Sequence, residues 1–110
     1  MASEVMKRVC VRALSNSETT LIAAVTAGHT YTILNITLCE TGSADETFDI
    51  YIDPLGGSND TYLYKAQAIA ADATFEHTTR LTMEATDVLY GRTASTANID
   101  VVITYLDQTL

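Results

Sequence analysis

Apolar and β-branched residues recur in this chain at every second position, in short runs separated by polar or glycine-containing turns. That period matches the alternating faces of a β-strand and defeats a helix, whose faces repeat every 3.6 residues. Leu34, Ile36 and Leu38 share one parity, with Asn35, Thr37 and Cys39 between them. Phe48, Ile50 and Ile52 alternate with Asp49, Tyr51 and Asp53, and Ile99, Val101, Ile103 and Tyr105 repeat the pattern. Together with runs at 5–14, 19–25, 61–69, 74–83 and 88–92, this spacing predicts about eight strands. The connections are too short for crossover helices, so the pairing is antiparallel. The expected fold is an all-β, antiparallel β-sandwich, jelly-roll or Ig-like.

Local detail follows from parity and turn chemistry. Tyr31 and Ile33 have the opposite parity to Leu34, Ile36 and Leu38, which predicts a bulge near Ile33. Thr26-Ala27-Gly28-His29 reads as a tight turn in which Gly28 supplies a positive φ where one is needed. In the run 61–69, Tyr62, Tyr64, Ala66 and Ala68 fall on one side. The Ala-rich stretch 65–74 tolerates a helix by propensity but lacks caps and an apolar stripe.

At 110 residues the chain reads as a single domain, 1–110, large enough for a core without metals or disulfides. The segment 1–14 reads as an arm or edge strand that contacts a partner. Net charge is −8, which argues against a nucleic-acid partner. The charge is uneven. Residues 1–12 hold Lys7, Arg8 and Arg12 against Glu4, a net of +2, which leaves −10 for the remainder. Such a segment suits an acidic partner. There is no signal-peptide pattern and no apolar run long enough to cross a bilayer, so a membrane is not an expected partner.

The residues that carry chemistry are sparse. His29 falls in a turn and His77 in a strand, and neither stands in a nucleophile-elbow context. Asp45, Glu46, Asp49, Asp53 and Asp60 cluster but miss the spacing of a calcium loop, and Gly56-Gly57 lacks the Lys-Ser/Thr ending of a phosphate loop. No metal site, cofactor or catalytic residue is expected. Cys10 and Cys39 fit neither a zinc nor a CxxC pattern; whether they pair depends on how close their strands lie. Asn35-Ile-Thr37 and Asn59-Asp-Thr61 match a glycosylation sequon without a secretory signal. The six Tyr residues are the more telling set, because a phenol offers large area, few rotors and a polar tip. The candidate interface residues are Lys7, Arg8, Arg12, Tyr51, Tyr62 and Tyr64, with Tyr51 pointing away from the core.

From residue 19 to 106 the motifs stand in an order that resembles a small β-sandwich found in virion proteins of tailed bacteriophages. They are Thr20-Leu21-Ile22-Ala23-Ala24-Val25-Thr26-Ala27-Gly28-His29-Thr30, then Ile33-Leu34-Asn35-Ile36-Thr37-Leu38-Cys39-Glu40-Thr41-Gly42. Phe48-Asp49-Ile50-Tyr51-Ile52-Asp53, Tyr62-Leu63-Tyr64-Lys65-Ala66-Gln67-Ala68-Ile69-Ala70-Ala71, Asp87-Val88-Leu89-Tyr90-Gly91-Arg92 and Val101-Val102-Ile103-Thr104-Tyr105-Leu106 complete it. Ala27 stands where the pattern has Pro, and Ala85-Thr86 where it has Gly. The resemblance implies a non-enzymatic virion structural protein, a capsid decoration (cement) subunit that binds the outer capsid surface. It implies as partners the major capsid protein or other virion subunits, with the copies forming a homo-oligomer, a trimer. The protein would reside in the virion, on the capsid surface, after assembly in the host bacterial cytoplasm. The alternatives are a neck, tail or fibre-associated component, and a carbohydrate- or receptor-binding module that stacks sugars on Tyr51, Tyr62 or Tyr64.

Overall fold

The computed structural model describes residues 3–95 and 98–109. Among these the strands are β1 (Ser3–Val11), β2 (Thr19–Ile22), β3 (His29–Glu40), β4 (Glu46–Asp53), β5 (Thr61–Ile69), β6 (Thr74–His77), β7 (Leu81–Met83), β8 (Val88–Thr93) and β9 (Ile99–Thr109). Sheet A has the order β1-β9-β3-β6, with β7 also on β3; sheet B has the order β2-β8-β4-β5. Every pairing is antiparallel. An Ig sandwich sets its first two strands side by side in one sheet. Here β1 and β2 lie in different sheets, and with β6 and β7 taken as halves of one interrupted strand the path is an eight-stranded jelly roll.

The core lies between the sheets. Leu21, Ile22, Phe48, Ile50 and Leu89 come from sheet B; Ile33, Ile36, Leu38, Val101 and Ile103 come from sheet A. Each such side chain stabilises the fold by about 1.5–3 kcal/mol when fully buried. Just past β1, Leu14 closes one end of the core, fully buried, with its N–H donating to the Ile99 carbonyl at 2.7 Å. The first strand is therefore shorter than the run 5–14 suggested. At the other end the turn forms as expected: His29 N–H donates to the Thr26 carbonyl at 3.0 Å, and Gly28 has φ 84°.

The expected bulge in β3 is present. Ile33 faces Tyr105, and the next pair is Asn35 with Thr104. The extra residue, Leu34, lets Tyr31 and Ile33 join Ile36 and Leu38 in the core.

Two expectations need correction. The run 74–83 is not continuous: β6 pairs with Ile36–Cys39 and β7 with Tyr31–Ile33, so the strand lapses opposite the bulge. Nine strands result among the described residues, with β6 and β7 in place of one of the eight expected runs. Tyr62 and Tyr64 do not share a face either. The register of β5 on β4 slips between Gln67 and Tyr64 and again between Tyr64 and Tyr62, with Ala66 at φ 50°. Each extra residue reverses the parity of the strand beyond it. Tyr64 therefore packs towards the core against Phe48 and Phe75, while Tyr62 lies on the outer face against Tyr51.

Candidate interaction surfaces

Three strands of sheet B bring Tyr51, Tyr62 and Tyr90 into one row on its outer face, because Tyr51 is registered with both the others. The ring centroids of Tyr51 and Tyr62 are 4.8 Å apart, and those of Tyr51 and Tyr90 are 5.6 Å apart. A second row, Asp49 and Arg92, runs beside it. Arg92 Nε donates to Asp49 Oδ2 at 3.0 Å, and its guanidinium lies 5.5 Å from the centre of the Tyr51 ring. Lys65 sits 4.7 Å from the centre of the Tyr62 ring and 3.8 Å from the same Asp49 oxygen. From the middle of the row, Tyr51 Oη donates to Glu18 Oε1 at 2.6 Å.

The consequence is that Tyr51 points away from the inter-sheet core, as its parity requires, yet has no exposed area. It is not a free contact residue, because Tyr62, Tyr90 and Arg92 cover it. Burial, reinforced by the Glu18 hydrogen bond and charge, pushes its hydroxyl above the ordinary phenol range. Burial alone would raise Asp49, but the Ala66 N–H, Arg92 and Lys65 together hold it below the usual carboxylate range. Cations already occupy positions over the Tyr51 and Tyr62 rings, where a sugar would have to stack.

The six candidates do not form one patch. Lys7 lies on the inward-facing side of β1, opposite Tyr105. Its Nζ meets Asp107 Oδ2 at 2.9 Å, while His29 Nδ1 meets Asp107 Oδ1 at 2.7 Å. Burial opposes ionisation of Asp107, but hydrogen bonds from His29 and Lys7 keep it below the usual carboxylate range. Arg8 lies on the opposite side of β1 and Arg12 just beyond its end, both exposed. Among the described residues neither forms an ion pair. Tyr64 is half-buried, with its Oη 2.8 Å from His77 Nδ1. Sequence reasoning missed Arg92 and Glu18 as partners of Tyr51, Asp49 as the partner of Arg92, and Asp107 as the partner of Lys7. Asp49 was legible only as one carboxylate in an acidic run.

The outer face of sheet A is built differently. Register places Met6, Leu106 and Thr32 in one row, Arg8, Thr104 and Asn35 in the next, and Cys10, Val102 and Thr37 in a third. Met6 is 62% exposed and Val102 39%. Cys10 is exposed, Cys39 is half-buried, and both thiols are free, with β9 between their strands. In a chain of net charge −8, the part of this face on β9 and β3 is hydroxyl, amide and hydrocarbon, with Arg8 beside it on β1.

A groove of about 450 Å³ opens beside the start of β4 and the end of β5, lined by Asp45, Glu46, Thr47, Ala68, Ala70 and Ser95 among others. Ser95 Oγ donates to Glu46 Oε1 at 3.2 Å, and neither histidine lines the groove. Among the described residues no group of three or more His, Cys, Asp or Glu is placed to hold a metal ion. No helix among them is long and apolar enough to cross a membrane.

Compared by sequence, no protein-family model and no curated protein matches this chain. Compared by structure, it is similar to a subunit of Bacillus endospore appendages, described as disulfide-linked pili. That match has a TM-score of 0.63 and 14% identity, over 100% of this chain and 91% of the other. It is similar also to the acid-stable capsid of Helicobacter pylori bacteriophage KHP30, with TM-score 0.55 and 14% identity over 100% and 94% of the two chains. A chain of the infectious bursal disease virus particle gives TM-score 0.57 and 10% identity, covering 97% of this chain and 31% of that one. What they share with this chain is the fold. The phage resemblance read from the sequence is met at that level: the chain has the all-β sandwich of viral capsid and pilus subunits.

Proposed function

We propose that this chain is a non-enzymatic structural subunit of a bacteriophage virion, a decoration protein seated on the outer surface of the capsid. The observation that carries this reading is the pairing of a whole-chain jelly roll, matched over nearly the full length of a phage capsid chain, with a bare outer face on sheet A. The rows Met6–Leu106–Thr32 and Cys10–Val102–Thr37, with Arg8 between them on β1, expose Met6 and Val102 and suit docking on another protein. Arg12, exposed just beyond the end of β1, borders them and would meet acidic groups of the shell. Many such contacts, repeated around an icosahedral lattice, hold through multivalency without any one strong site. The copies would cluster through exposed faces and edges, with a trimer as the expected cluster.

Mass spectrometry of purified particles tests the reading through copy number relative to the major capsid protein. A decoration subunit approaches the capsid protein in abundance; a neck or tail component is present in a few copies. Cryo-electron microscopy that finds the chain at the tail tip would overturn the capsid assignment. A second reading, a subunit of a fibrous appendage, is favoured by the endospore pilus match and by the two free thiols. Filaments of the purified chain that dissolve on reduction would support it in place of the first.

A further inference from the structure

The four sheet edges are not alike. β2 has four residues and a register slip between Thr20 and Ile22. β5 is bulged twice, and the β6–β7 edge is interrupted. Short length, bulges and breaks each hinder the addition of a further strand. β1 has none of these devices. Its nine residues pair one for one with β9, without a slip, and its other edge faces away from the sheet. Near its middle Val5 is 49% exposed and Met6 62%.

We propose that β1 pairs antiparallel with β1 of a second copy about a two-fold axis at Met6, joining the two A sheets into one. This rests on the reading of the chain as an assembly subunit and names one of its partners: itself. Charge selects the register. With Met6 facing Met6, Glu4 of each copy stands opposite Arg8 of the other, on the same face, and this happens twice by symmetry. Among the described residues Arg8 makes no ion pair, and Glu4 accepts from the Gln108 amide at 3.1 Å. Val5 of each copy falls opposite Lys7 of the other and covers its hydrocarbon stem, while the Lys7 ammonium stays on Asp107.

The neighbouring registers are worse. A centre at Lys7 or at Arg8 sets like charges face to face, and a centre at Cys10 sets Arg8 against Arg12 twice. A centre at Val5 leaves Glu4 opposite Met6 and forfeits both ion pairs. The contact is isologous and therefore dimeric; the trimer expected from the sequence would need a different surface.

Sedimentation of the full chain tests the contact, with circular dichroism as the check that each variant folds. The wild type should dimerise in the micromolar range. Glu4→Arg and Arg8→Glu should each weaken the dimer roughly tenfold, since each turns two attractions into repulsions, and the double reversal should return to within about threefold of wild type. In a chain with Cys10→Ser and Cys39→Ser, Met6→Cys should form an intersubunit disulfide in air, whereas Val9→Cys should not. A monomeric wild type, a dimer indifferent to both single reversals, or failure of the double reversal to rescue would each overturn the proposal. A monomer that is nonetheless abundant on capsids sinks the edge pairing alone. A dimer absent from particles sinks the decoration reading alone.

Discussion

The two outer faces of this sandwich solve the same problem in opposite ways. On sheet B the strands carry tyrosines outward and then cover them with their own cations: Arg92 lies over Tyr51, Lys65 over Tyr62, and Asp49 holds both cations. On sheet A the outward residues are Met6, Leu106, Val102, Cys10, Arg8, Asn35 and a set of threonines, and among the described residues no ion pair or cation over a ring covers them. A face that is covered from within contributes to the stability of the subunit. A face left bare contributes little to it and is available for association. Substitutions on sheet B should therefore register in folding, and those on sheet A in binding.

The largest effect expected is at Tyr51. Tyr51→Ala removes a fully buried ring from between two others and should cost about 3–5 kcal/mol in urea unfolding. Tyr51→Phe keeps the ring and loses only the Glu18 hydrogen bond, for about 1 kcal/mol. A near-neutral Tyr51→Ala would break the comparison at once. Next comes Asp107→Asn, which strips Lys7 and His29 of their common partner and should cost about 1–3 kcal/mol.

Acid should weaken the wild type in a defined window. Asp49 and Asp107 titrate below their ordinary value of 3.8 in the folded chain. Their ionised forms therefore stabilise the fold fully above that value, and this contribution is lost as pH falls through the lower, folded-state values. Unfolding midpoints measured down the acid range should fall more gently in Asp49→Asn and Asp107→Asn than in the wild type. The smallest effect on folding is expected at the exposed Val102→Ser, within about 0.5 kcal/mol, with a larger one, about 1 kcal/mol, when the half-buried Leu106→Ser is added. If the bare face docks, the same pair should reduce occupancy on capsids several-fold in a co-sedimentation assay. Retained occupancy would move the docking surface elsewhere.

Alternation alone revealed the sandwich, because a strand with one buried face must repeat every two residues. It also revealed the β3 bulge, since the switch of apolar parity between Ile33 and Ile36 is itself the record of an extra residue. The slips in β5 left no such record. Tyr62, Leu63 and Tyr64 are all large, so apolar character does not say which one faces inward, and no glycine or proline marks the bulge at Ala66. The break between β6 and β7 is equally silent in the sequence, set among Thr78, Thr79 and Arg80. The burial of Tyr51 was out of reach for a different reason. Its cover comes from residues 18, 62, 90 and 92, which only long-range register brings together. The charge of 1–12 was legible, but its division between the two sides of β1 required knowing where the core lies.

The position of β9 has a consequence for the order of events during synthesis. β9 is the last strand in sequence, yet it occupies the centre of sheet A, between β1 and β3. Until the ribosome has delivered it, β1 has no neighbour inside its own subunit, and the seam joining the first and last strands stays open. Such widely separated pairings are slow to form and expose unsatisfied backbone while they wait. A nascent chain thus carries β1 unpaired, and the sheet edge that β1 forms exists only once β9 has closed sheet A.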